Sequence, residues 1–464
     1  MSVFELREKF INDYSDFIHS FILIKDRRIN EFVYKLLKDE ARYWPDFLLH
    51  LSPSYAKGRN IQQLADDGIL HPEIPKIFRR NNVPITLYKH QEQAILLARE
   101  NKSYVVTSGT GSGKSLTYFI PIFNSILSKP AEGKCVLALI VYPMNALVNS
   151  QLKSLQNLES AYKERYGKEF PIKFARYTGD TPEMERNNLQ KNPPHIILTN
   201  YVMAEFFLMR SDEQKMFQGG EGLRFLVFDE IHTYRGRQGA DVAILIRKLR
   251  ERFGGKNLIH IGTSATMLVE KEMTAEDRKS QVADFASHFF GTLFTPEQII
   301  EETIVPLTER GKPGRDELIE AMGNPIPSDL ESFKENALVR WIDRELGVDI
   351  EGNELRRRPP RTLEDLTEIL SQETGINEKI CEEKLKEVLL KGNNLLKEDG
   401  EVAFAFKLHQ FISQGTPIFA SFEPAEVREL NADGQVIVED KILAPLRFCR
   451  LCGQEYYEVI KMED

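Results

Sequence analysis

The segment that most constrains this chain is the glycine-rich stretch Ser108–Ser115, which reads Ser-Gly-Thr-Gly-Ser-Gly-Lys-Ser. It follows the short apolar run Tyr104–Thr107 and precedes a helical pattern, so the sequence predicts a strand, a tight loop and a helix in succession. Glycine lets backbone N–H groups converge on one point, because a side chain would block the conformations that this requires. With a helix N-terminus directly behind it, such a loop is suited to hold phosphate groups.

A second segment, Leu226–His232, ends an apolar run in two carboxylates, Asp229 and Glu230, and includes the histidine His232. An isolated Asp-Glu pair usually belongs to a solvated surface. After a buried strand and downstream of a phosphate loop, however, the pair has the pattern of a magnesium anchor followed by a catalytic base. The two segments together predict that the chain binds and hydrolyses a nucleoside triphosphate.

Each of these residues has an expected part in that chemistry. Lys114 would neutralise charge on the β- and γ-phosphates, and the Ser115 hydroxyl would bind Mg²⁺ together with Asp229. Glu230 would orient and polarise the attacking water. The strict pattern has glycine where this chain has Ser108, a position that many motor ATPases relax. The expected nucleotide-binding residues are Ser108, Gly109, Thr110, Gly111, Ser112, Gly113, Lys114, Ser115 and Asp229.

Composition is that of a soluble globular protein, with 464 residues of which 42% are hydrophobic and 28% charged. No apolar run approaches the ~18 residues of a membrane span, and residues 1–7 lack a secretory signal pattern. Four cysteines argue against a disulfide framework, so we expect a cytoplasmic protein with no membrane partner. The net charge of −9 counts mildly against nucleic-acid binding, although local rather than net charge makes phosphate contacts.

From residue 83 to about residue 266, short apolar runs alternate with helical stretches, which predicts an α/β fold with a doubly wound parallel sheet. Strands buried on both faces read as continuous apolar runs rather than as alternation. Ligands of such sheets bind at the carboxyl ends of the strands, where the distinctive residues fall. The predicted strands are Tyr104–Thr107, Val136–Tyr142, Ile172–Tyr177, His195–Leu198, Leu223–Phe228 and Leu258–Ile261.

The chain divides into four predicted segments. They are a helical N-terminal extension at 1–82, the α/β domain at 83–270, a helical linker or accessory region at 271–400, and a mixed α/β region at 401–464. Within the third segment, Arg356–Arg358 and the two prolines that follow predict a loop or linker.

Aromatic residues in the first segment repeat at helical spacing, which places them on one face of a helix. We expect this face to belong to a core rather than to a binding surface. The residues are Phe10, Tyr14, Phe17, Phe21 and Ile24.

Further segments make the chain resemble the superfamily 2 DEAD/DEAH-box helicases. Leu87–Gln91 resembles their adenine-reading glutamine motif, and Asp229–His232 has the DExH form of their acid box. Gly262–Thr266 matches the Ser-Ala-Thr motif that links the ATP site to strand movement. Three further segments resemble the motifs with which these helicases contact nucleic acid, namely Val141–Leu147, Tyr177–Thr181 and Leu198–Asn200.

The resemblance implies a RecA-like sheet that binds ATP and Mg²⁺, with Gln91 reading adenine and His232 acting in the catalytic motif. It implies DNA as a partner, single-stranded or duplex with a single-stranded end, and leaves RNA open. Backbone amides and short polar groups would position the strand without reading its bases. The implied nucleic-acid contacts are Asn145, Gly179, Thr181, Thr199 and Asn200, and the implied coupling residues are Thr263, Ser264, Ala265 and Thr266.

A narrower resemblance rests on His232–Gly239, on Ile246–Arg250 and on Phe448–Tyr457. These segments are similar to large bacterial helicases of the mitomycin-repair type and of Druantia-type phage-defence systems. The resemblance leaves repair and defence open as roles, each with its own partner protein.

Cys449 and Cys452 have the Cys-x-x-Cys spacing of half a tetrahedral zinc site. No second close pair follows, and His409 lies far upstream in the sequence. Two interpretations stay open, namely a zinc site completed by residues beyond this chain, and two reduced cysteines in a turn that Gly453 bends.

Superfamily 2 motors also need a second RecA-like domain, whose arginines reach the γ-phosphate. Residues 267–464 contain no Gln-x-x-Gly-Arg-x-Gly-Arg pattern. An arginine finger is worth roughly 10³–10⁵ in turnover, so we expect weak hydrolysis unless a second domain is supplied in cis or in trans. Residues from about 401 would be the start of that domain or an insert.

Three functions are therefore compared. The leading hypothesis is the N-terminal portion of an ATP-dependent DNA helicase or translocase. The second is a nucleotide-gated sensor that binds nucleic acid without processive unwinding, and the third is a non-enzymatic interaction module. Retention of Lys114, Asp229 and Glu230 argues against the third.

Overall fold

The computed structural model describes residues 1–21, 23–38, 44–109, 111–130, 135–218, 222–265, 274–351, 354–397, 400–413 and 417–459. The chain forms two compact units, one of residues 55–304 and one of residues 1–54 with 305–464. It passes between them at the two-residue strands Ser54–Tyr55 and Ile304–Val305. These boundaries differ from the predicted breaks at residues 82, 270 and 400, and the functional division into four segments stays a prediction.

The unit of residues 55–304 is built on a seven-stranded sheet in which every pairing is parallel. Its strands are β1 (Tyr104–Thr107), β2 (Ala138–Tyr142), β3 (Phe174–Arg176), β4 (Ile196–Asn200), β5 (Leu223–Phe228), β6 (Gly254–Ser264) and β7 (Ile299–Glu301). Their order across the sheet is β7-β1-β6-β5-β2-β4-β3. The predicted RecA-like doubly wound parallel sheet is confirmed.

Helices cover both faces of this sheet, because alternate residues of each strand point to opposite sides. The helices are α1 (Lys89–Arg99), α2 (Leu116–Ser128), α3 (Asn145–Tyr166), α4 (Glu183–Lys191), α5 (Tyr201–Met209), α6 (Ser211–Lys215), α7 (Gly236–Phe253) and α8 (Ala275–Phe290). On β5, Val227 belongs to the core that includes residues of α1, α2 and α3. Its neighbours Leu226 and Phe228 belong to the core that includes residues of α5, α7 and α8.

The sheet has one strand that the sequence patterns did not predict. Strand β7 pairs with β1 at the edge of the sheet, and both Ile299 and Ile300 are buried. With only three residues it shows no periodicity, and the charged sequence around it favours helix. Residues 275–304 thus belong to the same compact unit as the sheet.

Small elements lead into the sheet from residue 55 onward. The strands Lys57–Asn60 and Thr86–Tyr88 pair antiparallel, as do Arg79–Arg80 and Val83–Pro84. The short helices Ile61–Asp66 and Ile74–Ile77 lie between them in sequence. Residues 55–82 are therefore part of the sheet unit and include strands.

The other unit combines helices with two small antiparallel sheets and a hairpin. Its helices are Val3–Phe21, Arg27–Lys38, Arg315–Gly323, Leu330–Glu335, Ala337–Ile342, Leu363–Thr374 and Glu378–Asn394. A three-stranded sheet is formed by Arg361–Thr362, Leu48–Ser52 and Ala405–His409. A second sheet contains Phe419–Ser421, Leu430–Asn431, Ile437–Val438, Lys441–Phe448 and Glu455–Tyr457.

In this unit one sequence expectation is wrong in part and a second is wrong. Tyr14 and Ile24 pack against a hydrophobic cluster, but the three phenylalanines of the same face do not. Phe10, Phe17 and Phe21 are 51%, 59% and 68% exposed, although Tyr14 packs edge-on against Trp44 as a core residue would. Helical spacing alone does not show which partner covers an apolar face. The second error concerns the expected linker at 356–358, because Glu354–Arg357 is a strand that pairs with Val348–Glu351.

No helix in the described part of the chain is both long and apolar enough to cross a bilayer.

Candidate nucleotide-binding site

Three neighbouring strands bring the distinctive residues to one edge of the sheet. The register pairs Thr107 of β1 with Ser264 of β6, and Gly262 of β6 with Phe228 of β5. Since the strands are parallel, the loop after Thr107, the end of β6 and the acidic pair after Phe228 lie at their carboxyl ends. The backbone N–H of Ser108 donates to the carbonyl oxygen of Ser264 at 3.1 Å, which ties the start of the loop to β6.

The loop itself uses glycine where its backbone turns. Gly111 and Gly113 have φ values of 86° and 71°, a region that side chains rarely adopt. At Gly113 a Cβ atom would also lie 2.6 Å from Gln91 Nε2. The Ser108 and Ser112 hydroxyls are buried and lie 2.6 Å apart, which closes the loop at its base. Serine at position 108 is therefore accommodated because its hydroxyl has a partner in the hydroxyl of Ser112.

Gln91 is buried and hydrogen-bonded to the loop on its inner side. Its Nε2 donates to the carbonyl oxygens of Ser112 at 3.3 Å and Gly113 at 3.1 Å, and its Oε1 accepts the N–H of Tyr88 at 2.9 Å. His90 Nε2 lies 3.0 Å from the same Ser112 carbonyl. In this arrangement Gln91 supports the loop, and its expected contact with adenine stays a prediction.

Lys114 reaches across the edge of the sheet to the acidic pair. Its Nζ lies 3.0 Å from Glu230 Oε1 and donates to the carbonyl oxygen of Ser108 at 3.2 Å. The two side chains of the ion pair are 11% and 22% exposed, so the pair is largely shielded from solvent. The sequence placed these two residues in one site although 116 positions separate them.

Asp229 is buried, and this burial raises its pKa to about 6. The Thr263 hydroxyl donates to Asp229 Oδ1 at 2.5 Å and accepts the backbone N–H of Glu230 at 3.1 Å. A single hydroxyl of β6 thereby holds both carboxylate residues of the acid box. A carboxylate removed from water in this way is suited to a cation, because a cation restores the charge balance that burial removed.

Glu230 has a φ of 51°, a left-handed conformation that is uncommon for a residue with a side chain. Its second oxygen, Oε2, accepts the Ala265 N–H at 3.1 Å and lies 3.3 Å from His232 Nδ1. His232 Nδ1 is also 3.1 Å from the Ser264 hydroxyl, and burial lowers the His232 pKa. The Ser-Ala segment of β6 and the histidine therefore meet at the carboxylate of Glu230.

Several residues at this site escaped the sequence motifs. Glu302 Oε2 accepts the Gly109 N–H at 2.6 Å, from the position directly after β7. Tyr118 of α2 also lies outside the motifs; burial raises its pKa, and the charge of Asp229 raises it further. No short motif marks such residues, because strand pairing and helix packing bring them to the site from separate segments.

The expected nucleic-acid residues form a second cluster on neighbouring loops. Asn145 Nδ2 donates to Asp180 Oδ2 at 3.0 Å, and Asn200 Nδ2 donates to Asn145 Oδ1 at 2.7 Å. The Thr181 hydroxyl accepts the Thr178 N–H at 2.9 Å. The structure thus brings together residues from three separate motifs, although their contact with nucleic acid stays a prediction.

The remaining expected residues differ in what the structure shows. Thr199 is buried and donates to the Tyr177 carbonyl at 2.6 Å, and a Cβ at Gly179 would meet no atom within 4 Å. Thr110 and Thr266 lie outside the described residues. Each of the predicted roles of these residues stays a prediction.

Cys449 and Cys452 lie in a tight turn, with Gly453 at a φ of 74°. Hydrogen bonds from the backbone at Cys452 and Leu451 hold the pKa of the Cys449 thiol below its ordinary value. Among the described residues, no group of three or more histidine, cysteine, aspartate or glutamate side chains is placed to hold a metal ion. The predicted half zinc site therefore has no further ligands in that part of the chain.

A parallel sheet with a phosphate loop after one strand and an acidic pair after a near neighbour defines a P-loop nucleoside triphosphatase domain. Within this class, residues 88–274 match the DEAD/DEAH box helicase family. This part of the chain is therefore similar to the DEAD/DEAH-box helicases, as its motifs predicted.

Two relatives show what the chain is similar to beyond this family match. The uncharacterized ATP-dependent helicase YprA of Bacillus subtilis (strain 168) is 34% identical over 189 residues, which is 40% of this chain and 24% of YprA. The Druantia protein DruE of Escherichia coli (strain UMEA 4076-1) is 27% identical over 272 residues, 36% of this chain and 15% of DruE. The chain thus spans a quarter or less of the length of these relatives.

Among solved structures, the DUF1998 helicase MrfA bound to DNA and AMPPNP is 26% identical with a TM-score of 0.44. The match covers 59% of this chain and 34% of MrfA.

Proposed function

We propose that this chain is the N-terminal portion of an ATP-dependent helicase or translocase that couples ATP hydrolysis to movement on nucleic acid. The observation that carries the proposal is the 3.0 Å contact between Lys114 of the phosphate loop and Glu230 of the acid box. A phosphate-binding cation and a candidate base meet at one edge of a parallel sheet, as phosphoryl transfer to water requires.

Lys114 and the backbone N–H groups of the glycine-rich loop would hold the β- and γ-phosphates. Glu230 would orient and polarise the attacking water once the phosphates draw Lys114 away from it. The left-handed backbone of Glu230 and the Ala265 N–H hold its carboxylate in place, so little reorganisation is needed. His232 and Ser264 link that carboxylate to β6 and so to the motif expected to couple hydrolysis to movement.

Mg²⁺ fits the residues present. Such ions are usually held through one or two carboxylates together with phosphates and water. Ser115 and Asp229 would supply the protein ligands, and the Thr263 hydroxyl would fix the orientation of Asp229. When bound, the ion would neutralise charge that develops on the transferred phosphoryl group.

Nucleic acid would lie along the loops that carry Asn145, Gly179, Thr181, Thr199 and Asn200. The hydrogen bonds between Asp180, Asn145 and Asn200 support this proposal, because they join three separate motifs into one surface. Neutral donors of this kind explain how a chain with a net charge of −9 could bind a polyanion.

The proposal is tested by nucleotide binding and ATP turnover of the chain with single-stranded DNA or RNA. We expect binding of ATP–Mg²⁺, weak turnover, and stimulation when a second RecA-like domain is supplied. Absence of nucleotide binding would contradict the whole proposal. Nucleotide-dependent nucleic-acid binding without translocation by the completed motor would favour the alternative, a nucleotide-gated sensor.

For the cellular role of the protein we propose two alternatives, phage defence and DNA repair, both in the cytoplasm. The similarity to the Druantia protein DruE supports defence. A plaque assay on cells that carry or lack the intact gene tests defence, and survival after mitomycin treatment tests repair.

Zinc is proposed as a second, separate ligand. The turn at Cys449 and Cys452 supports it, because backbone hydrogen bonds to a thiol stabilise the thiolate that binds zinc. Metal analysis of the purified protein and of a Cys449→Ser variant tests this proposal. Zinc should be present in the wild-type protein and lost in the variant. A zinc-free wild-type protein would instead support the interpretation of two reduced cysteines in a turn.

A further inference from the structure

Helix α4 is attached to the sheet unit mainly through polar contacts. None of its residues is buried, although Leu189 is partly covered. Two side chains one turn apart, Arg186 and Gln190, reach the buried ring of Tyr177. The Arg186 guanidinium lies 5.7 Å from the centre of that ring, and Gln190 Nε2 donates to the Tyr177 hydroxyl at 3.2 Å.

Tyr177 is a firm anchor for these contacts. It is fully buried, its hydroxyl donates to Glu213 Oε1 at 3.1 Å, and its ring packs edge-on against Phe207. The Thr199 hydroxyl donates to its carbonyl oxygen. Tyr177 directly precedes the loop of residues 178–181, so a contact with its ring is also a contact with the base of that loop.

Arg186 holds the loop itself. A single nitrogen, Nη2, donates to the carbonyl oxygens of Thr178 at 3.0 Å and Gly179 at 2.8 Å. These two consecutive carbonyls are thereby turned toward a cation. If they faced a phosphate strand, their negative ends would repel it. The contact therefore neutralises two carbonyl ends that would otherwise repel an approaching phosphate.

We infer that Arg186 is a positioning residue for nucleic acid, which holds the 178–181 loop in its phosphate-binding form without touching phosphate itself. The inference rests on the proposed function, because it assumes that this loop binds nucleic acid. It differs from an ordinary basic contact, since the guanidinium is already committed to two carbonyls and an aromatic ring.

The helix offers a matched control. Lys191 is exposed at the end of α4, so Lys191→Gln removes the same charge from the same helix without releasing the loop. Arg186→Gln removes the charge and both carbonyl contacts. Arg186→Lys keeps the charge and can restore part of the contact, because one nitrogen makes both hydrogen bonds.

Binding of a fluorescein-labelled single strand of about 20 nucleotides is measured by anisotropy over a range of salt concentrations. We expect Arg186→Gln to weaken binding roughly ten-fold, as the loss of hydrogen bonds to a charged group implies. Arg186→Lys should fall between Arg186→Gln and wild type, and Lys191→Gln should stay within about two-fold of wild type. Binding of a fluorescent ADP analogue should be unchanged in all three variants.

The salt dependence separates positioning from direct contact. A positioning role predicts that the plot of log Kd against log salt for Arg186→Gln runs parallel to that of wild type. A direct phosphate contact would reduce the slope by about one, and that result would overturn the inference.

Two further results would overturn the inference. One is wild-type affinity in Arg186→Gln, and the other is an equal loss in Lys191→Gln. If the wild-type protein binds ADP but no nucleic acid, the nucleic-acid part of the proposed function fails instead, so the two failures are distinguishable.

Discussion

At the scale of single residues, the candidate site is organised around one carboxylate and one hydroxyl. Glu230 accepts from the Ala265 N–H, contacts His232 and pairs with Lys114. Thr263 binds both Asp229 and the backbone of Glu230. Phosphate binding to Lys114 would therefore change the environment of Glu230 directly, which ties nucleotide binding to the release of the candidate base.

We expect opposite effects on binding from the two members of the Lys114–Glu230 pair. Glu230→Gln should bind ATP at least as tightly as wild type, because Lys114 no longer shares its charge with a carboxylate, while hydrolysis should fall about 10²–10⁴-fold. Lys114→Ala should lose binding. A fluorescent ATP analogue and phosphate release measure the two properties. Wild-type rates of hydrolysis in Glu230→Gln would show that Glu230 is not the catalytic base.

Thr263 gives a second prediction at this scale. Thr263→Val keeps the shape but leaves the buried Asp229 and the Glu230 N–H without their partner, so we expect a loss of about 1–3 kcal/mol in the free energy of unfolding. ATP hydrolysis should fall as well. Thr374→Val, in the other unit, is the matched control. That buried hydroxyl accepts an N–H as Thr263 does, but it donates to a backbone carbonyl rather than to a carboxylate. Urea unfolding and phosphate release measure both variants, and equal loss of hydrolysis in both would contradict a specific role.

At the scale of elements, β6 connects the edge of the sheet that carries the candidate site to the core. Its end carries Thr263 and Ser264, while His260 lies buried further back, tilted against the ring of Phe290. Burial lowers the pKa of His260 from its ordinary 6.5 to about 4. Within the described structure, His260 Nε2 is buried without a hydrogen-bond partner. Protonation of His260 in this strand would therefore destabilise the folded sheet.

The pKa of His260 predicts the acid sensitivity of the sheet. Below about pH 6.5 the unfolded chain binds a proton on this histidine, whereas the folded chain does so only near pH 4. Stability from this group is therefore complete above pH 6.5 and is lost as the pH falls toward 4, by about 2 kcal/mol between roughly pH 7.5 and pH 5.

We expect His260→Phe to remove this part of the pH dependence, because the phenyl ring can pack against Phe290 but cannot bind a proton. Urea unfolding of wild type and variant at the two pH values measures it. An equal loss of stability on acidification in both proteins would contradict the prediction.

At the scale of the whole molecule, the two units have separate cores. The sheet unit contains two hydrophobic clusters, one for each group of helices, and the residues of both fall within 55–304. The other unit has its own two clusters, formed from residues 1–54 and 305–464. Every described residue of the candidate site lies in the sheet unit.

ADP–Mg²⁺ should therefore stabilise only one of the two units. At a concentration 100 times its Kd, a ligand adds about 2.7 kcal/mol to the folded state that binds it, which raises the unfolding temperature of a unit of this size by several degrees. Hydrogen exchange followed by mass spectrometry should show added protection within 55–304 and little elsewhere. Lys114→Ala is the control, and equal protection in both units of wild type would contradict the separation.

Much of the sheet could be predicted from sequence, because its strands are buried on both faces and read as apolar runs. The predicted bounds of β1 and β5 agree with the structure, while β6 runs from Gly254 to Ser264 and so exceeds its predicted length. Strand β7 was missed because three residues carry no periodicity. The aromatic face of the first helix was predicted to lie in a core, yet Phe10, Phe17 and Phe21 are exposed, since residue spacing defines a helix face but does not show what packs against it.

The sequence by itself determined the class of the site: a glycine-rich loop, an acidic pair and a Ser-Ala-Thr motif in this order carry a specific chemistry in their residue types and spacing. Only the tertiary structure decided which of these groups touch, because strand order across a parallel sheet is unrelated to order along the chain. It placed β6 between β1 and β5, and so set Thr263 against the acid box. It also brought Arg186 under the carbonyls of the 178–181 loop, a contact made by helix packing that no motif records.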